Sequence, residues 1–161
     1  MKLMQYIQYL FFGILSLLVI GAIVFGALIK SSLPKDNGEL ATSKISEEVL
    51  IYKDSWGIPH IEAQNKHDAI FAYGYTVAKD RLFQMDLQRR LSQGKLSELL
   101  GDDLVEIDIM FRTYLFKNWA ENYLSSSHLS EESLSYVNAF VEGVNHFVET
   151  GEKPFEYYLL N

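Results

Sequence analysis

The chain has no cysteine among its 161 residues. A disulfide framework, a thiolate zinc site and a cysteine nucleophile are therefore excluded. Basic residues are short as well: 14 Lys and Arg stand against 21 Asp and Glu, a net charge of −7. Two of the basic residues, Lys2 and Lys30, lie in the first 30 positions, so residues 31–161 carry 12 basic against 21 acidic side chains. Nucleic acid is excluded as a partner, because binding phosphates needs a basic stripe. Neither a G-x-x-x-x-G-K-[ST] phosphate loop nor a G-x-S-x-G nucleophile elbow occurs. No glycine is followed by Ser, Thr or Cys.

What the chain does have is one long apolar run. Of the 20 residues from Leu10 to Ile29, 16 are apolar, interrupted only by Ser16 and three glycines. As a helix this run measures roughly 30 Å, the thickness of a bilayer core. It exceeds the usual apolar core of a secretory signal and lacks an A-x-A cleavage pattern, which favours a retained anchor over a cleaved leader. Residues 1–30 are read as the anchor, 31–46 as a polar tether with a turn at Asn37-Gly38, and 47–161 as a domain.

The domain reads as α+β and mostly helical. Glu48–Lys53 and Ile58–Glu62 form the arms of a hairpin around Asp54-Ser55-Trp56-Gly57, with Pro59 confined to an edge. A helix capped by Asn65 or Asp68 runs to Ser92, with Gly94 as its breaker. Lys95–Leu100 is a further turn. Asp102 or Asp103 caps a helix to about Ser125, with Leu104, Ile107, Phe111, Leu115 and Trp119 on its inner stripe. Ser130 starts a last helix whose stripe is Leu134, Val137, Val141, Val144 and Val148, ended by Gly151. Ala69–Ala78 has one polar residue in ten. Two helices and an isolated hairpin can barely cover so apolar a segment. Together with the apolar, aromatic segment Lys153–Asn161, this marks the chain as part of a larger domain.

The densest polar cluster is Asp80, Arg81, Gln84, Asp86, Arg89 and Arg90. Its spacing pairs Asp86 with Arg90 and Asp80 with Gln84, and pairs Asp108 with Arg112 further on. These read as scaffold ion pairs rather than as a substrate clamp. His60 and His67 lack a third ligand at metal spacing, so no metal site is assigned. No catalytic or cofactor-binding residue is assigned either.

Taken in order, these residues resemble the penicillin acylase (penicillin amidase) family. Asp54-Ser55-Trp56-Gly57-Ile58-Pro59-His60-Ile61 is similar to its D-x-x-G-x-P-H-I segment. Gly74-Tyr75 with Ala78–Asp86 resembles G-Y-x-x-A-x-D-R-L-F-Q-M, including Asp80, Arg81 and Gln84. Arg89-Arg90, Gly94, Ser97-Glu98 and Gly101 continue the pattern, followed by Asp108 with Arg112 and by Gly143-Val144-Asn145. The resemblance implies an N-terminal nucleophile hydrolase with an αββα sandwich, cut from a precursor into α and β chains. It implies a terminal Ser nucleophile, amide substrates, export from the cytoplasm and calcium in the complete enzyme. This sequence would then be the leading part of an α chain. Its partners would be the β-chain region of the same precursor and the membrane, and an amide substrate only once complete. A non-catalytic, membrane-anchored helical interaction module is the alternative, and completion in trans by a separate β chain a third reading. Asp54, Gly57, Pro59, His60, Asp80, Arg81, Gln84, Arg90, Glu98, Gly101, Asp108 and Arg112 are the expected scaffold positions.

Overall fold

A computed structural model describes residues 2–33, 35, 37–125 and 128–160, with the side chains of residues 2 and 3 left out. Pro34 of the expected tether and the terminal Asn161 lie outside the described residues. The chain divides into two compact units, residues 1–33 and 34–161.

The first unit is a single helix, α1 (Lys2–Ser32), which extends beyond the apolar run at both ends. Its large apolar side chains are exposed, from Met4 at 69% to Ile29 at 38%. It is long and apolar enough to cross a membrane, which fits either a span or a signal sequence.

The second unit begins with strands β1 (Leu50–Lys53) and β2 (Pro59–Glu62), paired antiparallel with Tyr52 opposite His60 and Lys53 opposite Pro59. Both strands are shorter than the runs that suggested them. Pro59 opens β2, where its missing N–H costs no ladder bond.

Helix α2 (Lys66–Ser92) is capped at Asn65, whose side chain accepts the Asp68 N–H. The backbone leaves helical geometry once inside it, at Arg81 (φ −144°, ψ 26°), so α2 is kinked. Gly94, at φ +62°, turns the chain into α3 (Ser97–Leu100), shorter than the expected 95–100. The one helix expected up to Ser125 is in fact three pieces: a 3-10 turn (Asp102–Leu104), α4 (Val105–Thr113) and α5 (Phe116–Ser125). Neither Asp102 nor Asp103 caps α4, whose N-cap is Leu104 without a side-chain bond. The break falls at Leu115, a non-glycine residue at positive φ (57°). It splits the expected stripe, leaving Leu115 57% and Trp119 65% exposed.

Helix α6 (Glu131–Thr150) is capped by Ser130, whose Oγ accepts the Ser133 N–H, and closes at Gly151. Glu131 and Glu132 lie in its first turn, where carboxylates meet the positive end of the dipole. A short helix, α7 (Glu156–Leu160), follows, and its Tyr157 ring meets Phe83 of α2 edge-on.

The core is the crossing of α2 and α6, with Phe71, Ala72, Ala78, Ala139 and Phe147 buried. Glycine sets the approach. A Cβ on Gly74 would overlap the Phe140 carbonyl, and one on Gly143 would overlap the carbonyl of Phe71, so the two backbones touch where neither residue has a side chain. Tyr75 meets Phe147 edge-on at 5.5 Å and Tyr73 packs on Phe140 at 5.6 Å. The inward face of α6 is therefore Ala139, Gly143 and Phe147. Of the expected stripe, Val137, Val141 and Val148 lie off it, between 40% and 52% exposed, while Leu134 and Val144 are half-buried. The hydrophobic pattern contained two faces, and a backbone-close crossing selects the one with the smaller residues.

Candidate functional site

The polar framework around this crossing consists of four carboxylates, each committed to a different junction. At the hairpin tip, Asp54 Oδ1 accepts the Trp56 and Ile58 N–H groups, both at 2.9 Å. Its Oδ2 lies 3.1 Å from His60 Nε2. The Ile58 bond, with the His60 ring beside it, holds the Asp54 carboxyl below the usual carboxylate range. Gly57 (φ +77°) donates its N–H to the Asp54 carbonyl and completes the turn. The His60 ring stacks on Tyr52 across the strands at 5.2 Å. His60 is thus part of the turn, and Trp56 at its tip is 87% exposed.

The second carboxylate, Asp68, was legible in the sequence only as a capping candidate. It is 1% exposed and receives the Ser46 and Glu47 N–H groups, the Ser46 hydroxyl at 2.8 Å and the Asn65 amide at 2.7 Å. Burial alone would raise its carboxyl; the bonds from Asn65, Glu47 and Ser46 outweigh that and hold it far below the ordinary range. The signal available in the sequence was Asn65-x-x-Asp68, the spacing at which an N-cap side chain meets the third residue of its helix. Nothing local announced Ser46 as its partner 22 residues away. The upstream segment is fastened as well: the Lys35 carbonyl accepts from Lys79, and the Lys35 ammonium lies 3.4 Å from Glu152.

The third, Asp86, takes Arg89 at 2.6 Å and Arg90 at 2.9 Å. Burial pushes its carboxyl up, and the two guanidinium groups more than reverse this. Arg90 also reaches Glu98 at 3.9 Å, which Lys95 approaches at the same distance. These contacts tie α2 to α3.

The fourth, Asp108, is 4% exposed and accepts the Leu96 and Ser97 N–H groups and, at 2.6 Å, the Ser97 hydroxyl. Burial again works against ionisation and the Ser97 and Leu96 bonds prevail, with Arg112 assisting. Arg112 Nε donates to the Gly94 carbonyl at 2.7 Å. The Asp108 and Arg112 side chains, expected simply to face each other, jointly clamp the 94–97 turn. A Cβ at Gly94 would collide with Arg112 Cγ and the Asp108 carbonyl. Gly101, at φ +98°, closes α3 by donating to the Ser97 carbonyl.

Asp80 bonds Lys53 of β1 at 3.2 Å and so links the hairpin to α2. Arg81 and Gln84 stand elsewhere. With Met85 and Gln88 they line an open cleft on the outer side of α2. Of the twelve expected positions, the structure brings most into turn and junction contacts and leaves these two facing outward.

Among the described residues no group of three or more His, Asp or Glu side chains is placed to hold a metal ion. The buried carboxylates of Asp68 and Asp108 are engaged by N–H and hydroxyl donors, and the carboxylate of Asp86 by two guanidinium groups. Calcium, which the resemblance implies for a complete enzyme, is assigned no residue and no step here. His67 Nδ1 lies 3.6 Å from Asp68 and His60 serves the hairpin, so the two are not joined in one cluster.

The sequence profile of the family described as penicillin amidase matches residues 48–161. Penicillin acylase 2 proenzyme from Pseudomonas sp. (strain SE83) is 38% identical over 133 residues, covering 82% of this chain and 17% of that protein. Penicillin G acylase from Escherichia coli is 36% identical over 104 residues, which cover 65% of this chain and 12% of the relative. Acyl-homoserine lactone acylase QuiP from Pseudomonas aeruginosa is 35% identical over 117 residues, 73% of this chain and 14% of its own length. The structure of a thermostable penicillin G acylase from Alcaligenes faecalis superposes with a TM-score of 0.56 at 31% identity. That likeness covers 65% of this chain and 55% of the other. The chain spans between 12% and 17% of the length of these curated relatives. The hairpin turn, the kinked helix and the clamped 94–97 turn all lie inside the matched region, and the chain belongs to the penicillin amidase family.

Proposed function

We propose that this chain is the leading, α-chain part of a membrane-tethered amidase precursor that hydrolyses the bond between an acyl group and an amine. The observation that carries this reading is the unbroken family match over residues 48–161 at no more than 17% of a relative's length. The residues here would build scaffold, and the chemistry would come from the rest of the precursor. There, self-cleavage would release a terminal Ser whose hydroxyl attacks the amide carbon while its own α-amino group takes the proton. Donors in an oxyanion hole would stabilise the tetrahedral intermediate. The completed domain would be an αββα sandwich in which the β1–β2 hairpin and the α2–α6 pair take part. The relatives' names point to penicillins and acyl-homoserine lactones as the substrate range. Helix α1 would hold the enzyme at the membrane with its catalytic part outside the cytoplasm.

The test is to read the coding sequence downstream of the Asn161 codon and express the whole frame. The expected result is a Gly-Ser junction and a precursor that cleaves itself into two chains, losing both cleavage and amide hydrolysis when that Ser becomes Ala. A stop codon at that point, with no β-chain gene beside it, would overturn the reading.

A further inference from the structure

The charged residues of α2 between positions 80 and 90 differ in one respect. Asp80 is taken by Lys53 at 3.2 Å, and Asp86 by Arg89 and Arg90 at 2.6 and 2.9 Å. Arg90 has Glu98 as well. Arg81 is exposed and, among the described residues, has neither a hydrogen bond nor an ion pair. This occurs in an acidic chain, where a surface arginine has many carboxylates to meet.

Its surroundings suit a carboxylate. Arg81, Gln84, Met85 and Gln88 follow one another at helical spacing along one side of α2 and line the same cleft. A guanidinium offers a planar fork of five N–H donors, which binds a carboxylate through two parallel bonds. The amides of Gln84 and Gln88 can add N–H donors, and the Met85 thioether adapts to the shape of what lies against it. The backbone departs from helical geometry at Arg81 itself, so this side of α2 is set by the kink.

We infer that the Arg81–Gln84–Met85–Gln88 side of α2 is a docking point for an Asp or Glu side chain from the rest of the same precursor. The inference rests on the amidase reading for its partner: the relatives extend far beyond the 17% or less that this chain matches, and the carboxylate would come from that remainder. Charge complementarity selects the chemistry. The cation left unpaired at the kink meets an anion, and the neighbouring amides fix the plane of the carboxylate.

The test uses the full-length precursor carrying Arg81→Lys, treated with a zero-length carbodiimide that couples an amine to a carboxylate in contact with it, followed by peptide mass spectrometry. Lys53 with Asp80 at 3.2 Å and Lys117 with Glu121 at 3.7 Å are internal controls. The expected result is a cross-link from position 81 to an Asp or Glu outside residues 1–161. Arg81→Gln should lower the yield of assembled precursor about tenfold, the range of a lost charge-assisted bond, with partial recovery in Arg81→Lys. Control cross-links without any from position 81, or a cross-link only to acids within residues 34–160, would overturn the proposal. So would normal assembly of Arg81→Gln with a raised KM confined to carboxylate-bearing substrates, which would make the cleft a substrate subsite. A precursor that forms the cross-link but never cleaves itself would keep the docking point and overturn the amidase reading, so the two failures are distinguishable.

Discussion

The α2–α6 crossing and the α4–α5 arm are built from similar amounts of apolar sequence and end in opposite states. At the crossing, Gly74 and Gly143 let two backbones touch, and Phe71, Ala72, Ala139 and Phe147 are buried around them. In the arm, Ile109, Met110, Phe116, Trp119 and Leu124 remain between 43% and 65% exposed, and Asp108 is the residue of α4 that is buried. The arm is held by polar bonds of Asp108 and Arg112 to the 94–97 turn, the crossing by close packing. Apolar content therefore does not decide where a core forms. Small residues at matching positions on two helices do, because dispersion and burial both need close approach.

The sharpest way to break this contrast is Gly143→Val. Its side chain would occupy the space of the Phe71 carbonyl, and overpacking of this kind should cost about 3 kcal/mol or more. Hydrogen exchange of α2 and α6 amides in the full chain would show protection lost there while helix α1 stays unchanged.

Asp68→Asn should come next, at about 2 kcal/mol, since it removes the charge from a site whose donors converge on a carboxylate. The same carboxylate sets a pH dependence. Its folded pKa lies below the unfolded value of about 3.9, so its contribution is complete above that value and is lost as pH falls toward the folded pKa. Asp54, Asp86 and Asp108 are shifted in the same direction. The contribution of these four carboxylates should thus be level above about pH 5 and decline below about pH 4. A pH series of denaturation midpoints should show a shallower acid limb in Asp68→Asn.

Leu115→Gly should act in the opposite sense. A left-handed residue with a side chain costs about 1 kcal/mol or somewhat more, while glycine adds unfolded-state entropy, leaving a net gain of roughly 0.5 kcal/mol. The urea midpoint of the variant would report it. Smallest of all is Trp119→Ser, expected within about 0.5 kcal/mol in this chain because the ring is already in water. Loss of several times that amount would show that the arm is packed in solution, and would remove the contrast with the crossing.

Much of the local structure was legible without coordinates. The Asp54-x-x-Gly57 turn, the Asn65 cap, the Ser130 cap and the glycine stops rest on bonds between residues close in sequence, where side-chain type and spacing are sufficient. The helix expected to run unbroken to Ser125 failed because Thr113-Tyr114-Leu115 carries neither Gly nor Pro. Its break rests on a leucine in a conformation that composition does not advertise. The expected stripe of α6 is only partly buried, with Leu134 and Val144 half-covered and the other three exposed, for another reason. Hydropathy ranks Val above Gly and Ala, but a backbone-close crossing favours the residues with least side chain.

The scaffold positions divide in the same manner. Asp86 with Arg90 obeyed helical spacing, while Asp80 turned to Lys53 rather than Gln84, and Asp108 and Arg112 met the 94–97 backbone. The family, the apolar helix and the order of turns and caps were fixed by residues and spacings read along the chain. Which face of α6 is buried, which carboxylates fill with donors and which arginine is left unpaired were decided only in three dimensions, because burial and hydrogen-bond partnership depend on atoms brought together from positions far apart in sequence.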